Sequence, residues 1–161
     1  MQHHTYSRRQ MALLLTGLSA LTLAGCATKP ATSKFTETRN KIATYALSLQ
    51  NRPYVWGGHD VTTGFDCSGL VSHVYEQAAG IQLQGSAAAM SKAARAVATA
   101  EVQPGDLLFF NTLGKPASHV GIYVGDNKFI HASNPRTGVR VDRLDSKYYA
   151  ERFEGCKTVL G

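Results

Sequence analysis

Three side chains in this 161-residue chain have the types and the spacing for thiol chemistry: Cys67, His119 and His131. Cys67 follows Gly64-Phe65-Asp66, where a glycine-containing loop runs into Leu70, Val71, Val74, Tyr75 and Ala78. These apolar residues recur at helical spacing until Gly80 stops the run, so the spacing predicts a helix over 67–79. Asp66 is a good N-cap for it and places the thiol in the first turn. There the unpaired backbone N–H groups and the positive end of the helix dipole favour a thiolate. Taken alone, the stretch is equally compatible with a buried structural cysteine, because cysteine is among the most buried residue types.

The histidines tip that balance. Gly125-Asp126-Asn127 separates two apolar runs and is rich in residues that tolerate positive φ, which predicts a hairpin. His119 and His131 each stand six residues from Gly125. A hairpin centred there opposes the two imidazoles directly; a shift of two in register leaves them diagonal neighbours on one face, and a shift of one parts them. Such a pair, in strands otherwise as apolar as Val120-Gly121-Ile122-Tyr123-Val124 and Phe129-Ile130, is hard to explain as packing. His59 and His73 are read as ordinary surface or satisfied core residues. The chemistry that suits is nucleophilic thiol catalysis, with His119 taking the thiol proton and returning it to a departing amine. His131 would orient His119 through its other ring nitrogen. The backbone N–H of Cys67 and the hydroxyl of Tyr54 are candidate oxyanion donors. Zinc is the competing use of one cysteine and two histidines, but no C-x-x-C or H-x-x-x-H spacing prepares it, and neither a metal nor a cofactor is expected.

The elements that must hold these groups follow from the rest of the chain. Phe35, Ile42, Tyr45, Ala46 and Leu49 form one helical stripe, predicting a helix from Phe35 to about Gln50 that Asn51-Arg52-Pro53 closes. Pro53-Tyr54-Val55-Trp56-Gly57-Gly58 then leads to the cysteine loop, its glycines permitting close backbone approach. Ser86 can cap a third, alanine-rich helix through about Val97, with Ala87, Met90, Ala94 and Val97 as its apolar face. After Gln103-Pro104-Gly105-Asp106 the character becomes β: 107–110, 119–124, 128–132, 139–142 and 153–160. Helices first and strands later indicate an α+β domain, with helices packed on one face of an antiparallel sheet.

The amino terminus reads as an address. Arg8 and Arg9 precede an apolar run from Met11 to Ala24, too short for a comfortable membrane span, and it ends in Leu23-Ala24-Gly25-Cys26. That tetrapeptide resembles the bacterial lipobox, in which the cysteine is lipidated and becomes the first residue. The expected organisation is a signal peptide over 1–25, a lipidated Cys26 with a tether over 26–34, and one domain over 35–161. Removing the segment with Arg8 and Arg9 lowers the formal charge from +6 to +4. This mild basicity suits an anionic polymer or membrane surface, while the lack of any Lys/Arg run or basic helix argues against nucleic acid. With Cys26 lipidated, Cys67 and Cys156 remain. A disulfide between them is possible in an oxidising compartment and would abolish the nucleophile.

Five stretches in order resemble the successive motifs of the NlpC/P60 cysteine peptidases. They are Tyr54-Val55-Trp56-Gly57-Gly58, Asp66-Cys67-Ser68-Gly69-Leu70, Pro104-Gly105-Asp106-Leu107, Ser118-His119-Val120-Gly121-Ile122-Tyr123 and Phe129-Ile130-His131-Ala132-Ser133. The resemblance implies a papain-like α+β fold and hydrolysis of amide bonds in peptidoglycan stem peptides or crosslinks, at D-glutamyl- or D-alanyl-diaminopimelate bonds. By position it implies Cys67 as nucleophile, His119 as base and His131 as third member, with Asp66 and Ser68 lining the substrate groove and Tyr54 beside the cysteine. Many members carry Leu-Pro-Arg-(Thr/Ser) before the third helix; here the stretch is Leu83-Gln84-Gly85-Ser86, without the arginine, which bears on substrate contacts. Cys156 has no counterpart and reads as a small hydrophobe in the last strand. A lipoprotein anchored in the outer membrane of a Gram-negative bacterium and facing the periplasm is the expected setting. A non-catalytic peptidoglycan-binding module and a thiol acyltransferase are the alternatives. No residue identifies a regulatory protein partner.

Overall fold

The computed structural model describes residues 31–160. The expected signal segment, Cys26 and the beginning of the tether lie outside them. Helices α1 (Ala31–Ser48) and α2 (Cys67–Ala79) pack together against one face of a six-stranded antiparallel sheet. The sheet comprises β3 (Arg95–Val97), β4 (Leu107–Phe110), β5 (His119–Gly125), β6 (Lys128–Ala132), β7 (Val139–Arg143) and β8 (Phe153–Thr158), in the order β3-β8-β4-β5-β6-β7. A small hairpin of β1 (His59–Asp60) and β2 (Gly64–Phe65) precedes α2, and α3 (Ala87–Ala93), a 3-10 turn (Thr99–Glu101) and α4 (Lys147–Ala150) complete the described residues. This is the α+β architecture the order of elements predicts.

Strand alternation sorts the core into two layers. Phe109, Val120, Ile122, Ile130 and Ala132 meet Ile42, Ala46, Leu70 and Val74 on the helix side. Leu108, Phe110, Phe129, Tyr149 and Cys156 cluster on the other side, which α4 helps to cover through Tyr149. The histidines stand in the second set, because His119 and Gly121 alternate with Val120 and Ile122, and His131 shares its face with Phe129. The layers are tied at Gly105-Asp106. There Arg39 reaches Asp106 Oδ1 at 2.6 Å, the Gln103 N–H donates to Asp106 Oδ2 at 2.9 Å, and the buried Tyr75 hydroxyl donates to the Gly105 carbonyl.

Several expectations change. The first helix begins at Ala31 rather than Phe35, so the end of the stretch read as a tether is helical. Lys34 to Glu37 are exposed, Phe35 by 46%; the helix is held by Ile42, Ala46 and Leu49 further along. The third helix stops at Ala93 instead of about Val97, because Arg95–Val97 becomes an edge strand paired with β8, Arg95 opposite Thr158 and Val97 opposite Cys156. An alanine run with no buried anchor beyond Met90 yields to the open hydrogen-bonding edge of β8. The disulfide considered above does not form: Cys67 and Cys156 are both free, and Cys156 is buried in the layer on the far side of the sheet from α1 and α2.

Candidate active site

Asp66 organises the end of α2 that carries Cys67. It is extended (φ −90°, ψ 179°) and caps α2, its Oδ1 accepting from the Gly69 N–H at 2.7 Å and from the Ser68 hydroxyl at 3.0 Å. Its Oδ2 accepts from the Gly57 N–H at 3.0 Å, so one carboxylate holds both the helix start and the preceding loop. The loop lies so close to the helix that a Cβ at Gly69 would overlap the Gly58 carbonyl oxygen. Only glycine at 69 allows this approach. Gly80 closes the helix in the left-handed region (φ 66°).

The backbone N–H groups of Val120, Ser68 and Cys67 itself favour the charged form of the Cys67 sulfur. Val120 adjoins His119, so α2 and β5 bring thiol and imidazole to one place. Burial nevertheless pushes the Cys67 thiol up, more than these donors pull it down. The helix start therefore does not give the resting thiolate expected from the sequence; desolvation outweighs it.

The imidazoles meet on the sheet. The turn has its two central residues, Asp126 (φ 51°) and Asn127 (φ 58°), in the left-handed region, and a register shift follows between Tyr123 and Gly125. The pairs Ile122 with Ile130 and Tyr123 with Phe129 set a register that places His131 opposite Gly121, leaving His119 its diagonal neighbour. Of the two arrangements that share a face, this is the diagonal one. His119 Nε2 lies 2.7 Å from His131 Nδ1, with the rings nearly perpendicular at 86°. Gly121 leaves room for this, since a Cβ there would come within 2.6 Å of the Phe129 ring and 3.3 Å of the His131 Cβ.

Beyond His131 lies a carboxylate that the sequence reading missed. His131 Nε2 is 2.9 Å from Asp142 Oδ2, and Arg140 Nη2 donates to Asp142 Oδ1 at 2.6 Å. An ionised carboxylate only accepts, so His131 carries its proton on Nε2 and presents Nδ1 as an acceptor. His119 must then hold its proton on Nε2, which leaves Nδ1 as the unprotonated nitrogen available to the thiol. Phe110, Phe129 and Tyr149 pack around the pair. Burial in this aromatic surround holds His119 far below the usual imidazole range, with neighbouring His131 adding to the effect. Burial also lowers His131, against the opposing pull of Asp142. Partial burial pushes Asp142 up, but His131 and Arg140 outweigh it and hold the carboxyl low.

Cys67, His119, Tyr54, Asp66 and Ser68 all line one cavity of about 310 Å³, whereas His131 is fully buried behind His119. Trp56, 80% exposed, and Leu113 stand at the same cavity, with Lys115 as its cation. The wall that carries Leu113 and Lys115 is fixed by Ser118, whose hydroxyl oxygen accepts the Thr112 and Leu113 N–H groups at 3.0 and 3.1 Å. Asp66 spends its carboxylate on its own chain, so its place in the groove is chiefly architectural. The signal for Asp142 was present: Val139-Arg140-Val141-Asp142 alternates, which puts Arg140 and Asp142 on one face. Which of them meets His131 depends on the pairing of β6 with β7, where His131 opposes Arg140 and Phe129 opposes Asp142.

The model described as the NlpC/P60 family matches residues 51–158. The murein DD-endopeptidase MepH of Escherichia coli (strain K12) is 39% identical over 126 residues, 74% of this chain and 46% of its own. Among solved structures, a Staphylococcus aureus (subsp. aureus Mu50) protein described as similar to lipoprotein, of the NLP/P60 family, aligns at a TM-score of 0.68 and 38% identity, over 78% of this chain and 42% of that one. The NlpC/p60 domain of the peptidoglycan hydrolase SagA aligns at 0.65 and 31% identity, over 75% of this chain and 98% of its own. The chain spans about half the length of relatives such as MepH, 46% in that case.

Proposed function

The chain belongs to the NlpC/P60 family, and on that premise we propose that it is a cysteine peptidase hydrolysing amide bonds in peptidoglycan stem peptides or crosslinks, at D-glutamyl- or D-alanyl-diaminopimelate bonds. The observation that carries this reading is the ordered set of side chains behind one cavity, from Cys67 through His119 and His131 to Asp142. The names of MepH and SagA, a murein endopeptidase and a peptidoglycan hydrolase, support the choice of polymer.

The resting pair is a neutral thiol and a neutral imidazole, and His119 acts as general base at the moment of attack. As the sulfur bonds to the substrate carbonyl carbon, its proton passes to Nδ1 of His119. The carbonyl oxygen becomes an oxyanion that accepts from the Cys67 N–H and the Tyr54 hydroxyl. His131 accepts the Nε2–H of His119 throughout, and Asp142 stabilises the positive charge that the pair acquires. The tetrahedral intermediate collapses, the C–N bond breaks and the amine leaves with the proton from His119. Water, deprotonated by the same nitrogen, then cleaves the thioester and frees the carboxylate and the thiol. Cys26 anchors the domain by its lipid to the periplasmic face of the outer membrane, which keeps it beside the polymer; several acyl chains make such attachment stable.

The test is clearance of purified diaminopimelate-type sacculi by the full chain. The wild type should lower the turbidity of the suspension, and Cys67→Ala should sediment with the sacculi without clearing them. Sedimentation without clearing by both proteins would identify a binding module instead.

A further inference from the structure

His119 borders two cavities. The first, about 310 Å³, contains Cys67; the second, about 470 Å³, lies past His119 and contains Arg140, Asn134 and Tyr148 but not the cysteine. Both are bordered by Thr112, Leu113 and Ser133, so they are two ends of one groove.

The reaction gives this groove a direction. The acyl half of a substrate stays bonded to the sulfur and belongs in the cavity of Cys67. The amine half must lie within reach of the imidazole that protonates it, and past His119 the open space is the second cavity. The cation there is Arg140. It uses Nη2 on Asp142 at 2.6 Å, and the rest of its guanidinium fork has no partner among the described residues. Its side chain is 46% exposed, and Tyr148 beside the same cavity is 49% exposed. Both oxygens of Asp142 are already engaged, Oδ2 by His131 and Oδ1 by Arg140. A fork with free N–H groups matches a carboxylate.

We propose that the second cavity is the subsite for the leaving residue, and that Arg140 binds a free carboxylate which that residue carries. The assignment rests on the peptidase reading above. In both candidate bonds the departing amine belongs to diaminopimelate, a diamino acid with a carboxyl group beside each amine.

The experiment avoids turnover. The full chain carrying Cys67→Ala is titrated with diaminopimelate and, separately, with its diamide, followed by NMR. The free acid should shift the signals of Arg140 and Tyr148 and bind about tenfold tighter than the diamide, the worth of one charge-assisted contact. Adding Arg140→Gln should erase that preference, while Arg140→Lys, which keeps the charge and loses the fork, should retain part of it. Equal binding of acid and diamide, a preference that survives Arg140→Gln in folded protein, or shifts confined to the cavity of Cys67 would each overturn the assignment. Because the inert protein is used, this result stands apart from sacculus clearance. Binding of the acid through Arg140, with no clearance of sacculi by the wild type, would defeat the peptidase reading and leave Arg140 as a carboxylate-binding site with no leaving residue to hold.

Discussion

His119 Nε2 and His131 Nδ1 lie 2.7 Å apart although the two residues are not paired across the hairpin. The register shift beside the turn sets them diagonally, and the missing side chain at Gly121 gives the rings space to meet edge to face. The bond occupies one nitrogen of each ring. It leaves Nδ1 of His119 for the thiol and Nε2 of His131 for Asp142, so the two histidines have unequal duties.

That inequality is measurable. His119→Ala removes the base itself and should lower kcat by roughly a thousandfold. His131→Ala leaves the base and removes its orienting partner, so the loss should be smaller, with KM changing little in either case. Steady-state kinetics on a stem peptide decides it; a larger loss in His131→Ala would reverse the roles.

Asp142 acts through His131 and is a positioning residue. Asp142→Asn removes the charge that fixes the His131 tautomer and offers an amide that can donate as well as accept. The expected outcome is a kcat lowered by roughly tenfold or more, with KM nearly unchanged and the unfolding midpoint little moved. Asp142→Glu should restore part of the rate. A change confined to KM would contradict the positioning role.

Acid should destabilise the fold earlier than carboxylates alone predict. Both buried histidines are held below their unfolded value of 6.5, by burial foremost. Their contribution is fully present above that value. As pH falls below it, the unfolded chain takes up protons that the native pair refuses, and stability is lost progressively. The slope reaches at most about 1.4 kcal/mol per pH unit for each such imidazole. Urea unfolding at pH 7.5, 6.5 and 5.5 should show this decline, and His119→Asn should flatten it. A wild-type midpoint constant across that range would contradict the burial of neutral rings.

The loop before the nucleophile should be intolerant of small changes. Gly69→Ala places a methyl group against the Gly58 carbonyl, and the backbone must shift to admit it, costing about 1–3 kcal/mol. Asp66→Ala loses the helix cap and the tie to Gly57 together, costing about 1 kcal/mol or more. Both should reduce activity beyond their effect on stability, because they move Tyr54 relative to Cys67. Thermal unfolding and kcat measured side by side test this, and a fully active, destabilised Gly69→Ala would count against it.

The parts of this fold legible in the sequence are those set by local rules. The helix of Cys67 is bounded by Asp66 and Gly80, both visible as residue types, and the histidine pair follows from distance to a turn. Where the answer depended on a partner far along the chain, the reading failed. Arg95–Val97 looks helical until the edge of β8 is supplied. The apolar Phe35 joins a stripe in sequence but lies beyond the end of the core. Asp142 could not be chosen over Arg140 without the register of β6 on β7. The helix start correctly located the thiol, yet its effect on the sulfur's charge was overruled by burial, which no local pattern expresses.

Cleavage through Cys67 is decided by mass spectrometry of the products released from diaminopimelate-type peptidoglycan by the full chain, beside Cys67→Ala and His119→Ala. Fragments with a new free amine on diaminopimelate should be present with the wild type and absent with Cys67→Ala. The same products from Cys67→Ala, or breaks confined to the glycan strands, would contradict it.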